Sequence, residues 1–365
     1  MGLTGELRGL EASLDRRPSN GDPMLTLPAT RPWFEGDDWQ AVAAARGLTA
    51  RERALVDTFR SEGFVVVEDT RVLDELDVEG IWTALAGRFK PAGAGRVQDA
   101  WRELPAVRAI AAHPAVLAVL RLLYGREPIP FQTLTFLNGT EQRTHSDTIH
   151  FSSLPSGFMC GVWMALEDVA LRQGPLHYFP TSQRLPEFDY DDLGVPPVAG
   201  ERTWDNPRTL DSYLLYEKRI DALARENGFR REELAIAKGT FLVWSANLLH
   251  GGSPRDDRTL TRKSQVSHYY FADSVPFTPM FSHRAEGRYD VRRLQDVRTG
   301  RWITPSLDGV PVLFPGRPDG LRAIAPAGGL AAVVTKAIGV DRGLPRSSSE
   351  ALAWGARALA ERLRR

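Results

Sequence analysis

Cysteine is almost missing from this 365-residue chain, where Cys160 is the only one. A single thiol excludes an internal disulfide framework and a cysteine-rich zinc site. Cys160 lies in an apolar stretch, so buried packing is its expected role. An excess of either charge is missing too. Lysine plus arginine and aspartate plus glutamate both number 46, giving a formal net charge of zero. That argues against a broad electrostatic footprint for nucleic acid. No apolar run reaches the roughly 18 residues of a membrane span. The first residues lack the basic-then-apolar pattern of a secretory signal. The expectation is a soluble, cytoplasmic protein with neither nucleic acid nor membrane as partner.

What is present suffices for one large domain or two modest ones, since 42% of the residues are hydrophobic. Residues 1–48 read as an N-terminal arm, with little periodicity over 1–35. Thr49 and Glu52 fit a capping box, Leu55 and Phe59 share the helical face that follows, and Gly63 is placed to end the helix. Phe64–Val67 reads as a short strand. Residues 97–124 read as helical, with Pro105 and Pro114 starting new segments and Gly125 closing the last. Strands are expected at 129–137, 145–151, 158–166, 176–180, 240–244 and 264–271. Many short strands without helical crossovers indicate a mainly β core with flanking helices.

Residues 184–236 interrupt that series. They contain Trp204, Tyr213, Tyr216 and a helix over about 211–227. Long insertions in compact domains often cover a site, and the competing reading is a packed structural excursion. Residues 273–365 read as a C-terminal extension on the same domain, rich in proline and glycine over 302–329. Within it, Leu352, Ala356, Leu359 and Leu363 fall on one helical face. That helix reads as a docking element or homodimer contact.

Two stretches carry the chemistry. The first is Thr-His-Ser-Asp-Thr-Ile-His-Phe at 144–151, and the second is Asn-Leu-Leu-His-Gly-Gly-Ser-Pro at 247–254. On an extended strand alternate side chains share a face, which brings His145 and Asp147 within reach of one ion. His250 is the best third ligand, and Gly251-Gly252 allow tight backbone geometry beside it. Two imidazoles and one carboxylate suit non-haem Fe(II) handling O₂. Spacing alone is weak, because His-x-Asp pairs arise by chance on surface strands. His150 would lie on the opposite strand face and serve a supporting or structural role. His177 and His268 are similar bystanders. His268 shares a strand face with Arg262, Ser264, Val266 and Tyr270, which can line a pocket. Gln132, on a face with Leu134 and Phe136, either contacts a ligand or is structural, and Gln142 is equally ambiguous.

The company of these residues adds more. Residues 157–182 read Gly-Phe-Met-Cys-Gly-Val-Trp-Met-Ala-Leu-Glu-Asp-Val and then Gly-Pro-Leu-His-Tyr-Phe-Pro-Thr-Ser. From about residue 50 to about 272, the order of these motifs resembles the phytanoyl-CoA dioxygenase family of Fe(II)/2-oxoglutarate oxygenases. The resemblance implies a double-stranded β-helix, a cupin-like jelly roll, over 49–272, with the insertion 184–236 as a lid. It implies Fe(II) on His145, Asp147 and His250, with 2-oxoglutarate and O₂ as co-substrates and a small-molecule metabolite as substrate. Arg262 and Ser264 resemble the family's Arg-x-Ser pair for the distal carboxylate of 2-oxoglutarate. Thr261 stands where that arginine commonly sits, and Arg255 and Arg258 are the nearer alternatives. Related halogenases have Gly or Ala at the position of Asp147, so a carboxylate there favours hydroxylation or another oxidation. The rival readings are a non-catalytic metal-binding member of the fold and a cupin-type metal-dependent hydrolase or isomerase.

Overall fold

The computed structural model describes residues 31–89, 95–195, 210–282 and 289–312. In chain order the strands are β1 (Phe64–Glu68), β2 (Arg96–Gln98), β3 (Pro128–Phe136), β4 (Ser152–Leu154), β5 (Met159–Ala165), β6 (Leu176–Tyr178), β7 (Glu232–Glu233), β8 (Thr240–Ser245), β9 (His250–Gly252), β10 (Ser264–Phe271), β11 (Val275–Phe277), β12 (Ser306–Leu307) and β13 (Val310–Pro311). The helices are α1 (Trp39–Ala45), α2 (Ala50–Glu62), α3 (Val78–Leu85), α4 (Pro105–Ala111), α5 (Pro114–Tyr124) and α6 (Leu210–Glu226).

The major sheet has six antiparallel strands in the order β1-β8-β5-β10-β3-β2. Opposite it lie a three-stranded sheet, β7-β6-β9, and the β11-β4 pair. This is the mainly β, jelly-roll arrangement expected of a double-stranded β-helix. Strand β5 shows why its sequence is apolar throughout. Cys160, Val162 and Met164 join a core shared with α2, α4 and α5, while Trp163 and Ala165 join the core between the sheets. A strand buried on both faces needs a continuous hydrophobic run. Cys160 is a packing residue there.

The helices start and stop where their end residues dictate. The Thr49 side chain accepts from Glu52 N, the Glu52 carboxylate answers at Thr49 N, and Gly63 closes α2 at φ 83°. Pro105 and Pro114 open α4 and α5, and Gly125 ends α5 in the left-handed region. The stretch Pro105–Tyr124 has the length and hydropathy of a membrane-crossing segment. Here it is two helices separated at Ala112 and His113, and their apolar faces enter the core. Phe34, Trp39 and Ala43, from the segment read as an arm, enter the same core. Trp204, the Pro/Gly stretch beyond residue 312 and the helix at 349–363 lie outside the described residues.

One strand expectation fails. Residues 145–151 do not form a regular strand: His145 makes an isolated antiparallel bridge to His250, and Asp147–Ile149 is a 3₁₀ turn. The cause is Ser146, whose Oγ accepts from Thr148 N and donates to the Ala246 carbonyl. Such a local side-chain bond offers the backbone an alternative to the ladder.

Candidate metal centre and its cavity

The bridge that replaces the strand sets the site. His145 N donates to His250 O at 2.9 Å, and His250 N donates to His145 O at 3.0 Å. Directly paired residues in an antiparallel bridge project to the same face, and the two imidazole centroids are 4.5 Å apart. Each ring is oriented from behind: His145 Nδ1 meets the Arg143 carbonyl and His250 Nδ1 meets the Leu248 carbonyl, both at 2.9 Å. These contacts put the Nδ1 proton on the carbonyl side and leave each Nε2 lone pair facing inward. The 3₁₀ turn then places Asp147 Oδ1 3.8 Å from His145 Nε2 and Asp147 Oδ2 3.9 Å from His250 Nε2.

One ligand atom from each of these three buried residues lies within 4.8 Å of the others. Burial, with the neighbouring His250 as a second cause, lowers the His145 pKa from 6.5 to about 4. Burial lowers His250 to about 4 as well. Both imidazoles are therefore neutral at pH 7, the form that ligates a metal. Asp147 is held in turn by Trp244, whose indole Nε1 donates to Oδ2 at 2.8 Å. That indole has room because Gly161 faces it across the sheet; a Cβ there would lie 2.2 Å from Trp244 Cζ2. Gly251, packed to 2.7 Å for an added Cβ against the Gln142 carbonyl, gives His250 a similarly close backbone neighbour.

These groups open onto a cavity of about 650 Å³. Its walls come from the major sheet through Gln132, Leu134, Phe136, Trp163, Val266 and His268. Arg262 lines the same cavity. It is 3% exposed, its Nη1 donates to the Gly174 carbonyl at 2.9 Å, and its Nε is buried without a partner. Burial, then the charge of Arg255, lowers its pKa to about 10, so it stays cationic at pH 7. Among the described residues it forms no ion pair. The rival arginines do: Arg255 and Arg258 both pair with Glu141, at 3.5 and 3.1 Å. Thr261 is bonded to Glu167 instead.

Ser264 opens β10 two residues later but is absent from the cavity wall, and its Oγ turns back to the Arg262 carbonyl at 3.4 Å. Gln132 lines the cavity and pairs with His268 across β3 and β10. His268 comes closer than a bystander, with Nε2 3.7 Å from Asp147 Oδ2. His150 corrects the strand-based reading. It faces the cavity, and its Nε2 meets the Tyr213 hydroxyl at 3.1 Å. Gln142 Nε2 also donates to that hydroxyl, at 3.1 Å, and lies 3.3 Å from His145 Nε2. His177 stays outside the cavity wall, 3.2 Å from Thr144 Oγ1. Tyr213 reaches the cavity from α6, whereas Tyr216 is fully buried among Ile149, Phe179 and Tyr190.

Sequence reasoning missed Trp244, Gly161, Arg96 and Arg292. A glycine opposite a tryptophan on neighbouring strands is a usable signal once the register is known. Nothing in the local sequence marks Arg96 or Arg292.

A search of curated proteins gave no match in sequence. Among solved structures, the α-ketoglutarate-dependent epimerase SnoN of nogalamycin biosynthesis is similar at 20% identity and TM-score 0.45, covering 63% of this chain and 86% of that one. The carbocyclase SnoK of the same biosynthesis is similar at 20% identity and TM-score 0.46, covering 61% and 85%. EctD from S. alaskensis, solved with 2-oxoglutarate and 5-hydroxyectoine, is similar at 18% identity and TM-score 0.46, covering 64% and 79%. The family model of phytanoyl-CoA dioxygenase matches residues 59–260, more than half of the chain. The chain thus belongs to the phytanoyl-CoA dioxygenase family and is an Fe(II)/2-oxoglutarate-dependent dioxygenase.

Proposed function

We propose that this enzyme hydroxylates, or otherwise oxidises, a small-molecule metabolite, with His145, Asp147 and His250 holding Fe(II) and Arg262 anchoring 2-oxoglutarate. The observation that carries this is the pairing of two features in one cavity. Three neutral or anionic donors converge at one place, and a buried arginine without an ion pair waits nearby. A buried guanidinium with an orphaned N–H is costly unless an anion meets it, and its planar fork suits a carboxylate.

Fe(II) held by His145, Asp147 and His250 would, with 2-oxoglutarate and O₂ consumed and succinate and CO₂ released, supply a strong oxidant. The chain supplies position and exclusion. The Arg143 and Leu248 carbonyls fix the imidazole tautomers, and Trp244 fixes the carboxylate. Leu134, Phe136, Trp163 and Val266 keep the co-substrate end apolar, which strengthens the Arg262 contact by lowering the local dielectric. Helix α6, within the insertion 184–236, brings Tyr213 over the cavity, and we assign that insertion a covering role. The domain bounds proposed are an N-terminal arm over 1–48, a catalytic unit over 49–272 and a C-terminal extension over 273–365.

The test is an anaerobic titration of the Fe(II)-loaded protein with 2-oxoglutarate, followed by a succinate-release screen over a metabolite panel in air. Saturable 2-oxoglutarate binding and succinate release that depends on one added metabolite are the expected results. Turnover of a metabolite without O₂ or 2-oxoglutarate would replace the proposal with hydrolase or isomerase chemistry.

A further inference from the structure

The cavity holds more positive charge than this chemistry uses. Its charged lining residues are Asp147, Arg96, Arg262 and Arg292. A divalent iron and a dianionic co-substrate cancel, and so do Asp147 and Arg262. Arg96 and Arg292 are left over; among the described residues neither forms an ion pair, although the Asp290 carboxylate lies near enough to Arg292 to interact with its charge.

Arg292 is the better placed of the two. Its backbone N–H is fixed to the Pro276 carbonyl at 2.9 Å, which attaches this segment to β11. Its Nη1 donates to Thr278 Oγ1 at 3.2 Å. Its guanidinium lies 4.7 Å from the Phe151 ring centroid and 5.7 Å from that of Phe131. Its Nε is buried and has no partner. A guanidinium stacked on aromatic rings is structural when its donors are satisfied. Here Nε is buried without a partner and the residue lines the cavity, and the acceptor that fits a charged fork is an oxyanion.

The co-substrate does not supply that oxyanion. On the reading above, one of its carboxylates goes to the metal and the other to Arg262. The two arginines also serve different ends of β3. Arg262 lies 5.9 Å from the Phe136 ring and Arg292 lies 5.7 Å from the Phe131 ring, and five residues of strand span roughly 16 Å. Arg96 adds a second, exposed cation to the wall, paired with Phe136 across β2 and β3.

We propose that the substrate is an organic anion whose carboxylate or phosphate is received by Arg292, with Phe151 and Phe281 flanking its apolar body. This rests on the assignment of Arg262 to 2-oxoglutarate.

The experiment uses the full chain loaded anaerobically with Fe(II) and 2-oxoglutarate. Its probes are aryl and alicyclic compounds, each prepared as a carboxylate, a phosphate monoester and a neutral primary amide. Equilibrium binding is measured for the wild type, Arg292→Gln, Arg292→Lys and Arg96→Gln. At least one anion should bind about tenfold to a hundredfold more tightly than its amide. Arg292→Gln should erase that preference while 2-oxoglutarate affinity stays within about twofold, and Arg292→Lys should keep part of it. Whichever of the carboxylate and phosphate series shows the preference names the head group. If no anion out-binds its amide in the wild type, or if the preference survives Arg292→Gln, the proposal falls. If the wild-type chain does not bind 2-oxoglutarate, the underlying reading fails first.

Discussion

Replacing Trp244 by phenylalanine should weaken Fe(II) binding although no ligand is touched. The indole Nε1 donates to Asp147 Oδ2 at 2.8 Å, and both side chains are almost fully buried. A hydrogen bond to a charged acceptor contributes about 1.5–3 kcal/mol. Partners that orient a metal ligand typically alter affinity about 10–100-fold, which is the same range of free energy. Phenylalanine keeps the aromatic packing of β8 and removes only the donor and part of the ring. Gly161→Ala provides an independent route to the same lesion. The new Cβ would stand 2.2 Å from Trp244 Cζ2, so the ring must move. The assay is an anaerobic Fe(II) titration against a competing chelator, with near-UV circular dichroism and thermal unfolding to confirm the fold. The reasoning is refuted if folded Trp244→Phe binds Fe(II) within about twofold of wild type.

His145→Ala and His250→Ala should each abolish Fe(II) binding in that titration while the fold persists, whereas His150→Ala should retain it; equal loss in all three would reassign the ligands. For 2-oxoglutarate, Arg262→Lys should lower affinity and Arg262→Ala should lower it about tenfold to a hundredfold, measured by the metal-to-ligand absorption band without O₂. Arg255→Ala and Arg258→Ala should change it little, because both are already paired with Glu141. The metal-free protein should lose thermal stability as pH falls from about 6.5 towards 4. Burial lowers His145, His250 and His268 to about 4, and His150 and His177 to about 3, against 6.5. The unfolded chain therefore binds more protons throughout that window, which destabilises the folded state; a flat melting temperature across it would contradict the burial of these rings.

Much of this was legible in the sequence because short-range physics fixes it. The Thr49 capping box, the prolines opening α4 and α5, and the glycines at 63 and 125 each act within a turn of their own position. Strand β10 is legible at its observed bounds, 264–271, because Val266, Tyr269, Tyr270 and Phe271 favour a strand. The failures share the opposite character. Trp244 matters only through a register that sets it against Gly161, and Arg292 only through an attachment to β11. His150 was placed on the wrong side because alternation was carried through a segment that Ser146 turns.

That turn changes more than one histidine's direction. In a continuous strand, Asp147 would share a face with His145 but stand about two residue rises, roughly 6.6 Å, further along. The turn brings its Oδ1 to 3.8 Å from His145 Nε2 and its Oδ2 to 3.9 Å from His250 Nε2. The alternation argument thus names the right pair for an incomplete reason. It explains the shared side of the chain and not how the carboxylate comes to face both imidazoles. Two local devices do that. A single antiparallel bridge aligns the imidazoles, and a serine cap ends the pairing before it can extend. Ending the ladder there also keeps the space beside the donors open. The cavity begins where backbone pairing stops, and an oxygenase needs those vacant positions next to its metal for co-substrate and O₂.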